Sequence, residues 1–196
     1  MNTFLAILFM GWVGLLGQPA GNRITQDEIV WFGLDYTQVR FIGGHSAFSD
    51  LQNIQEHYFR SWNELILVES NKYDLKAAFG VRKVTYEMEY AISQSMQRDM
   101  GNILQSGSYS IDEDIVADVV WKYTDTSDDR TGALFVMETL NKFEEKSTMW
   151  LAVFNISTGE IYHLRLYEGK PGGFGFRNYW ARSYYNILKS LRLSIH

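Results

Sequence analysis

The hydrophobic and polar positions of this chain follow two periods, one typical of strands and one typical of helices. Two short apolar segments, EIVWFG and QVRFIG, predict strands, and the residues LDYT between them favour a turn. From Ser49 onward the apolar side chains recur at helical spacing behind a capping-box pattern, which predicts an amphipathic helix. The segment VRKVTYEMEYAI alternates again, so we predict a strand whose wet face carries Glu87 and Glu89 together.

The second half of the chain adds a helix, three strands and a last helix. Residues 97–110 have the composition of a loop, and a second capping-box pattern at Ser110 precedes a helix with an apolar face. Two nearly unbroken apolar runs, ALFVMETL and MWLAVFNI, predict strands in the middle of a sheet that is covered on both faces. The turn STGE and the alternating EIYHLRLYEG predict a hairpin, and apolar positions from Trp180 to Leu191 predict the final helix.

The resulting order of elements, β-α-β-α-β-β-β-α, predicts a single domain of the α/β (or α+β) class. Crossover helices require parallel pairing between some strands, whereas tight hairpins require antiparallel pairing. We therefore predict a mixed β-sheet of about five strands, packed by three main helices that cover both of its faces.

The N-terminal segment predicts export. Residues 4–17, FLAILFMGWVGLLG, form an uncharged apolar run that is too short to cross a bilayer comfortably, and QPAGN follows as a break where a signal peptide could be cut. We predict a signal peptide at residues 1–20 and one globular domain at residues 21–196, with no stable membrane span after cleavage. Because no Lys or Arg precedes the apolar run, an uncleaved anchor and a buried core segment stay open as alternatives.

The amino-acid composition limits the cellular compartments and the binding partners that we expect for the protein. The chain has no cysteine, which excludes disulfides, thiol catalysis and cysteine-ligated zinc. Together with an export signal this favours a bacterial periplasm or cell surface, because small extracellular eukaryotic domains usually carry disulfides. The formal net charge of -5 makes nucleic acid and anionic membrane surfaces poor candidate partners.

Motifs for familiar reactions are missing from the sequence. It contains no GxSxG elbow, Walker loop, HExxH pair or dinucleotide fingerprint. The histidines, at positions 45, 57, 163 and 196, are too widely spaced to suggest a metal site. We therefore predict neither a metal nor a cofactor.

The segment EGKPGGFGFRNYW, just before the last predicted helix, is a candidate binding loop. Its glycines could present backbone N–H groups to an anion at the positive end of that helix. These glycines are Gly172, Gly173 and Gly175. Asn178 could cap the helix while Arg177 reaches a carboxylate or an anionic ligand. The alternative is a loop that only turns a corner, with Arg177 in a structural ion pair.

Two further residues are candidates for chemistry. Glu138 ends an otherwise apolar, central strand, where an unpaired carboxylate would be costly, so we expect a partner such as Lys142 or Arg177. His45 follows a strand, where ligands of open α/β sheets often bind. An enzyme would use Arg177 to hold an anion and Glu138 or His45 as the base, and it would need all three in one cleft.

Aromatic side chains in the same segment suggest a third possibility, a surface on which sugars stack. That function requires the rings to be exposed and coplanar, whereas burial in the core is the commoner role of large aromatic side chains. The rings concerned are Phe174, Phe176, Tyr179 and Trp180.

Three motifs of the C-terminal half, METLNK, STGEIYHLRLYEG and KPGGFGFRNYW, follow one another in the chain. In this succession the chain resembles uncharacterised small exported proteins of Bacteroidota over about residues 28–192. The resemblance implies a bacterial envelope protein and no particular reaction. We expect an exported, non-enzymatic protein that binds a protein or small-molecule partner or has a structural role. The alternative is an enzyme or an anion-binding pocket at the glycine-rich loop of residues 169–178.

Overall fold

The computed structural model of the protein describes residues 27–191. Its strands are β1 (Glu28–Asp35), β2 (Arg40–Ile42), β3 (Lys83–Tyr86), β4 (Leu104–Gln105), β5 (Thr131–Asn141), β6 (Lys146–Asn155) and β7 (Ile161–Gly169). Its helices are α1 (Leu51–Asn53), α2 (Phe59–Val68), α3 (Leu75–Phe79), α4 (Glu89–Met96), α5 (Glu113–Trp121) and α6 (Phe176–Ser190). A π-helical segment, Ile54–Tyr58, joins α1 to α2, and a 3-10 turn spans His45–Ala47.

The predicted signal peptide at residues 1–20 lies outside the described residues. None of the helices within residues 27–191 combines the length and the hydropathy that a bilayer crossing requires.

Strand β5 organises one mixed sheet. Along one edge, β5 pairs in parallel with β1 as far as Val136 and then with β2 from Thr139 onward. Strand β3 extends the sheet beyond β1, and β4 extends it beyond β2, both in parallel. Along the other edge, β5 pairs antiparallel with β6, and β6 with β7. Because β1 and β2 follow each other along the same edge, the sheet is about five strands wide, which confirms the predicted mixed sheet.

Helices cover both faces of this sheet, which confirms the predicted layers. Helices α2, α3 and α6 pack on one face, here called the α6 face, and α5 packs on the other, here called the α5 face. Successive residues of a strand point to opposite faces, so Phe135 lies in the core of the α6 face and Val136 in that of the α5 face. The chain therefore folds as a single mixed α/β domain.

The prediction of one long strand in VRKVTYEMEYAI was wrong. Strand β3 ends at Tyr86, because it pairs with only the first half of β1, and α4 begins at Glu89. The buried residues from Met88 onward are spaced for a helix rather than a strand; they are Met88, Ala91, Ile92 and, beyond the segment, Ser95. Glu87 and Glu89 consequently do not share a strand face, and they pair with different arginines, Arg130 and Arg60.

Two short elements, β4 and α3, were not predicted from the sequence patterns. Residues 97–110, predicted as a loop, contain the two-residue strand β4, which is too short to alternate. Helix α3 has a recognisable start and end, because the Asp74 side chain accepts a hydrogen bond from the Ala77 N–H and Gly80 ends the helix in the left-handed conformation. Neither element changes the predicted fold class.

Candidate functional site

A pocket lies where parallel strands β2, β4 and β5 end. The carboxyl ends of these strands are adjacent, since Ile42 pairs with both Gln105 and Asn141. The pocket has a volume of about 260 Å³, and residues from the loop after β4 and from the β5–β6 and β6–β7 strand pairs line it. Its polar lining includes Ser106, Ser108, Glu138, Thr139, Lys146 and Glu168, and we call it the Glu138 pocket. Ligands of open α/β sheets bind at this kind of edge.

Glu138 occupies an irregular position in β5. Met137 pairs with Met149 and Thr139 pairs with Thr148, so that Glu138 is an extra residue between two successive pairs. It also lies where the neighbour of β5 changes from β1 to β2. Such a bulge interrupts the ladder and re-aims the side chain, and bulges are frequent beside functional sites.

The Glu138 carboxylate is buried, with only 3% of the residue exposed. Its Oε1 atom accepts a hydrogen bond from the Ile111 N–H at 2.9 Å and another from the Trp150 indole N–H at 3.3 Å. Both partners belong to the α5 face. These bonds explain how the sheet tolerates a buried carboxylate, because buried polar groups need hydrogen-bond partners.

The expected ion pair of Glu138 with Lys142 or Arg177 was wrong. Lys142 Nζ lies 3.9 Å from the centre of the Tyr179 ring. The Arg177 guanidinium donates to Asn178 Oδ1 at 3.3 Å. Both cations are thus engaged near α6, on the face of the sheet opposite the Glu138 side chain.

Hydroxyls and a small ion-pair network form the other polar walls of the pocket. Thr139 Oγ1 and Thr148 Oγ1 share a hydrogen bond of 2.6 Å. Lys146 Nζ lies 2.8 Å from Glu144 Oε2 and 3.2 Å from Glu168 Oε1. The hydrogen bond to Glu144, and then that to Glu168, raise the pKa of the Lys146 ammonium above its ordinary value. Lys146 therefore stays charged at neutral pH and belongs to the rim.

The glycine-rich loop is folded on itself. The Gly172 N–H donates to the Tyr179 carbonyl at 2.9 Å, and the Tyr179 N–H donates to the Gly175 carbonyl at 2.9 Å. Gly173 and Gly175 adopt positive φ angles of 101° and 80°, which glycine accommodates without a steric cost. The loop thus makes a tight turn from β7 into α6, and the Gly172 N–H is already used by the protein.

The predicted cap at Asn178 was wrong. Helix α6 begins at Phe176, so its N-cap position falls on Gly175, which has no side chain to cap with, and Asn178 lies inside the first turn. Arg177 takes part in the packing through its backbone, because its carbonyl accepts a hydrogen bond from the Trp62 indole at 2.9 Å.

His45 lies apart from Glu138. It begins the exposed 3-10 turn after β2. The next buried residue is Phe48, whose ring stacks on that of Trp180 in α6, with the ring centres 5.7 Å apart. The turn therefore neighbours α6, whereas the Glu138 side chain is on the α5 face. The structure does not bring Glu138 into one cleft with Arg177 and His45, as the enzyme hypothesis required.

The four aromatic rings of the loop do not form a stacking surface. Trp180 is buried in the core with 3% of its area exposed, whereas Phe174 is 96% exposed. The planes of Tyr179 and Trp180 are almost perpendicular, at 86°. The sugar-surface hypothesis needed exposed, coplanar rings, so this geometry excludes it.

A larger groove of about 550 Å³ lies beyond the carboxyl end of β3, between α2 and α4. Every charged side chain that lines it is already in an ion pair, because Arg60 pairs with Glu89 at 2.9 Å and with Glu64 at 3.6 Å, and Glu87 pairs with Arg130 at 3.0 Å. The hydrogen bond from Arg60 also lowers the pKa of the Glu89 carboxyl. A ligand would have to compete with these pairs, so the Glu138 pocket is the better candidate.

Comparisons of the chain with protein-family models, with curated proteins and with solved structures found no match. The candidate site is therefore supported by its geometry and chemistry. The sequence had singled out Glu138 correctly as unusual, but it did not indicate the hydroxyl-bearing segment SGSYS, which contributes Ser106 and Ser108 to the pocket. The only signal for that segment is a cluster of small polar residues after an apolar pair.

Proposed function

We propose that this chain is an exported protein of the bacterial envelope that binds a small polar ligand in the Glu138 pocket without transforming it. The observation that carries the proposal is a buried carboxylate that occupies a β-bulge and lines a pocket at the carboxyl edge of parallel strands. A buried polar group in a concave site orients a ligand, because its hydrogen bonds are strongest where water is excluded.

Export is supported by the sequence alone. The apolar run of residues 4–17, the break at QPAGN and the absence of cysteine together favour a secreted bacterial protein. The resemblance to small exported proteins of Bacteroidota points in the same direction.

Binding is favoured over catalysis by the partners of Glu138. The two groups that donate to it are a backbone N–H and an indole N–H. Within residues 27–191 no histidine, lysine or arginine is hydrogen-bonded to Glu138, so no second titratable group is in place to exchange protons with it, and these contacts fix the carboxylate. Such a fixed acceptor suits recognition of a ligand donor.

The binding proposal can be tested by thermal shift with the purified protein. The library would contain amines, polyols, oligosaccharides, organic acids, nucleotides and phosphate. A ligand that binds the native state raises the melting temperature in a saturable way, and we expect this shift to vanish in Glu138→Gln. The matched control is Glu56→Gln, which removes one exposed carboxylate outside the pocket. Shifts that are equal in both variants and in the wild type would contradict the proposal.

The alternative site at the glycine-rich loop is tested by the same screen. Helix α6 starts without a side-chain cap, and Arg177 is next to its first residue, so phosphate is the probe for an anion there. A saturable phosphate shift that Arg177→Ala abolishes, and Glu138→Gln does not, would favour the loop over the Glu138 pocket.

Export is tested by fractionating bacteria that express the full chain. We expect the protein in the periplasmic or surface fraction, with a mass that lacks about the first 20 residues, because signal peptides are removed on export. A cytoplasmic product that retains Met1 would contradict this part of the proposal.

A further inference from the structure

The charges that line the Glu138 pocket do not balance. Three carboxylates, Glu138, Glu144 and Glu168, face a single ammonium, Lys146. Lys146 is engaged by Glu144 and Glu168 at the rim. Among the ion pairs within residues 27–191, none includes Glu138. The buried carboxylate thus lacks the cationic partner that buried charges usually have.

A second cation, Arg40, lies next to the pocket, and its guanidinium contacts a tyrosine ring. The Arg40 guanidinium lies over the ring of Tyr109, 4.8 Å from its centre, and Arg40 does not line the pocket. Tyr109 does line it, so Arg40 supports one wall, and its guanidinium forms no hydrogen bond or ion pair with Glu138 within residues 27–191. Glu138 thus has no direct cationic partner within residues 27–191, and a bound ligand would supply one.

We propose that the Glu138 pocket binds a small organic cation, a ligand with a primary ammonium or guanidinium group. This inference rests on the proposed ligand site and adds the chemical class of the ligand. An ammonium or guanidinium donates to a carboxylate in a charge-assisted hydrogen bond, and the nearby hydroxyls of Thr139 and Thr148 offer further polar contacts. The volume of about 260 Å³ is below the roughly 300–1,000 Å³ of sites for drug-sized ligands. The ligand is accordingly small.

Isothermal titration calorimetry with three probes of equal carbon chain length tests the charge of the ligand. The probes are putrescine, 1,4-butanediol and succinate, which differ in carrying positive, neutral or negative end groups. With the purified full-length protein at low salt we expect saturable binding of putrescine and no measurable binding of the other two. We also expect the putrescine affinity to fall as salt is added, because salt screens the attraction between charges.

Three variants locate the binding. We expect Glu138→Gln to weaken putrescine binding by at least about tenfold, because it removes the buried charge while preserving the shape of the side chain. The exposed control Glu56→Gln should bind putrescine like the wild type. Lys146→Gln should bind it roughly two- to fivefold more tightly, because the variant removes the one repelling charge of the pocket. This opposite effect tests the inference even if Glu138→Gln does not fold.

The outcomes separate the ligand class from the site. Putrescine binding that is unchanged in both Glu138→Gln and Lys146→Gln overturns the inference. If putrescine does not bind, but a neutral or anionic ligand from the thermal-shift screen depends on Glu138, the cation inference fails and the proposed binding site stands. If no ligand of any charge depends on Glu138, both fail.

Discussion

Glu138 combines two tasks in one side chain. Its Oε1 atom receives the Ile111 N–H and the Trp150 indole, which ties the loop before α5 and strand β6 to the bulge of β5. The same residue lines the pocket. A purely structural acceptor could be a neutral glutamine, because N–H donors need only a carbonyl-like oxygen. The charge itself is what the proposed ligand uses, and this is why Glu138→Gln separates the two tasks.

Asn63 stabilises a second irregularity, the bulge at Phe32–Gly33 in β1. Its Oδ1 accepts from the Leu34 N–H at 2.7 Å, and its Nδ2 donates to the carbonyls of Leu34 and Phe59. Asn63→Ala would leave buried backbone groups of Leu34 unpaired, so we expect the free energy of unfolding to fall by about 3 kcal/mol. Urea denaturation measures this loss.

The control for Asn63 is Ser61→Ala on the same helix. Ser61 makes a local hydrogen bond to the Tyr58 carbonyl and is only partly buried. Its replacement should change the free energy of unfolding by no more than about 0.5 kcal/mol. Equal losses in the two variants would show that Asn63 does not stabilise the bulge.

His163 predicts a pH dependence of stability. Burial, followed by the nearby charge of Arg165, lowers the pKa of its imidazole below the ordinary value of 6.5. The unfolded chain therefore takes up a proton at a higher pH than the folded chain does. The contribution of His163 to stability is complete above pH 6.5 and falls as the pH drops towards the lowered folded-state pKa.

Urea midpoints at pH 7.5 and pH 5.5 test this dependence. We expect the wild type to lose more stability than His163→Gln between these two values, because the variant has no imidazole to protonate. An identical loss in both proteins would show that the folded and unfolded chains protonate His163 alike.

Sequence reasoning at this scale recognised that a carboxylate in an apolar strand needs an explanation, and it identified Glu138 on that ground. It could not identify the partners. Ile111 and Trp150 are 27 and 12 residues away, and they meet Glu138 only through the tertiary fold, at a bulge that interrupts the pairing of β5 with β6. Lys142, the cation nearest to Glu138 in the sequence, lies over the Tyr179 ring on the other face.

The close contact between β7 and α6 explains why position 169 is occupied by a glycine. A Cβ atom at Gly169 would lie 2.3 Å from the Ser183 carbonyl oxygen, which belongs to the backbone of α6. Gly169→Ala must push the strand and the helix apart, so we expect a loss of about 1–3 kcal/mol in the free energy of unfolding.

Gly172→Ala is the matched control for that variant, three residues further along. The nearest atom to its added Cβ is Arg182 Cγ at 3.7 Å, an ordinary van der Waals contact. We expect its stability to stay within about 0.5 kcal/mol of the wild type. The pair can be compared by urea denaturation, and an equally destabilised Gly172→Ala would show that close packing at Gly169 is not the cause.

Elements with a long and regular pattern were predictable, and short or mixed ones were not. The apolar runs became β5 and β6, and the helical periods became α2, α5 and α6. In the segment 81–92 the first residues alternate and the later ones have helical spacing, and the boundary depends on where pairing with β1 stops. That limit is a tertiary contact, which local periodicity does not contain.

At the scale of the whole molecule, the candidate site lies where parallel and antiparallel strand pairing meet on β5. Strand β5 is parallel to β1 and β2 along one edge and antiparallel to β6 along the other. The sequence predicted this mixture from the crossover helices and hairpins. It could not predict that β2 follows β1 as the neighbour of β5 on the same edge, and this change of neighbour coincides with the bulge at Glu138 and with the pocket beside it.

The central claim, that a ligand occupies the Glu138 pocket, is tested most directly by the indole N–H signal of Trp150. This group donates to Glu138 Oε1, so it reports on the carboxylate itself, and the variant Trp150→Phe assigns its signal in a two-dimensional ¹H–¹⁵N spectrum. During titration with the ligand that gives the largest thermal shift, we expect this signal to move saturably while the other indole signals stay in place. A ligand that saturates the protein and leaves the Trp150 indole signal unmoved would contradict the claim.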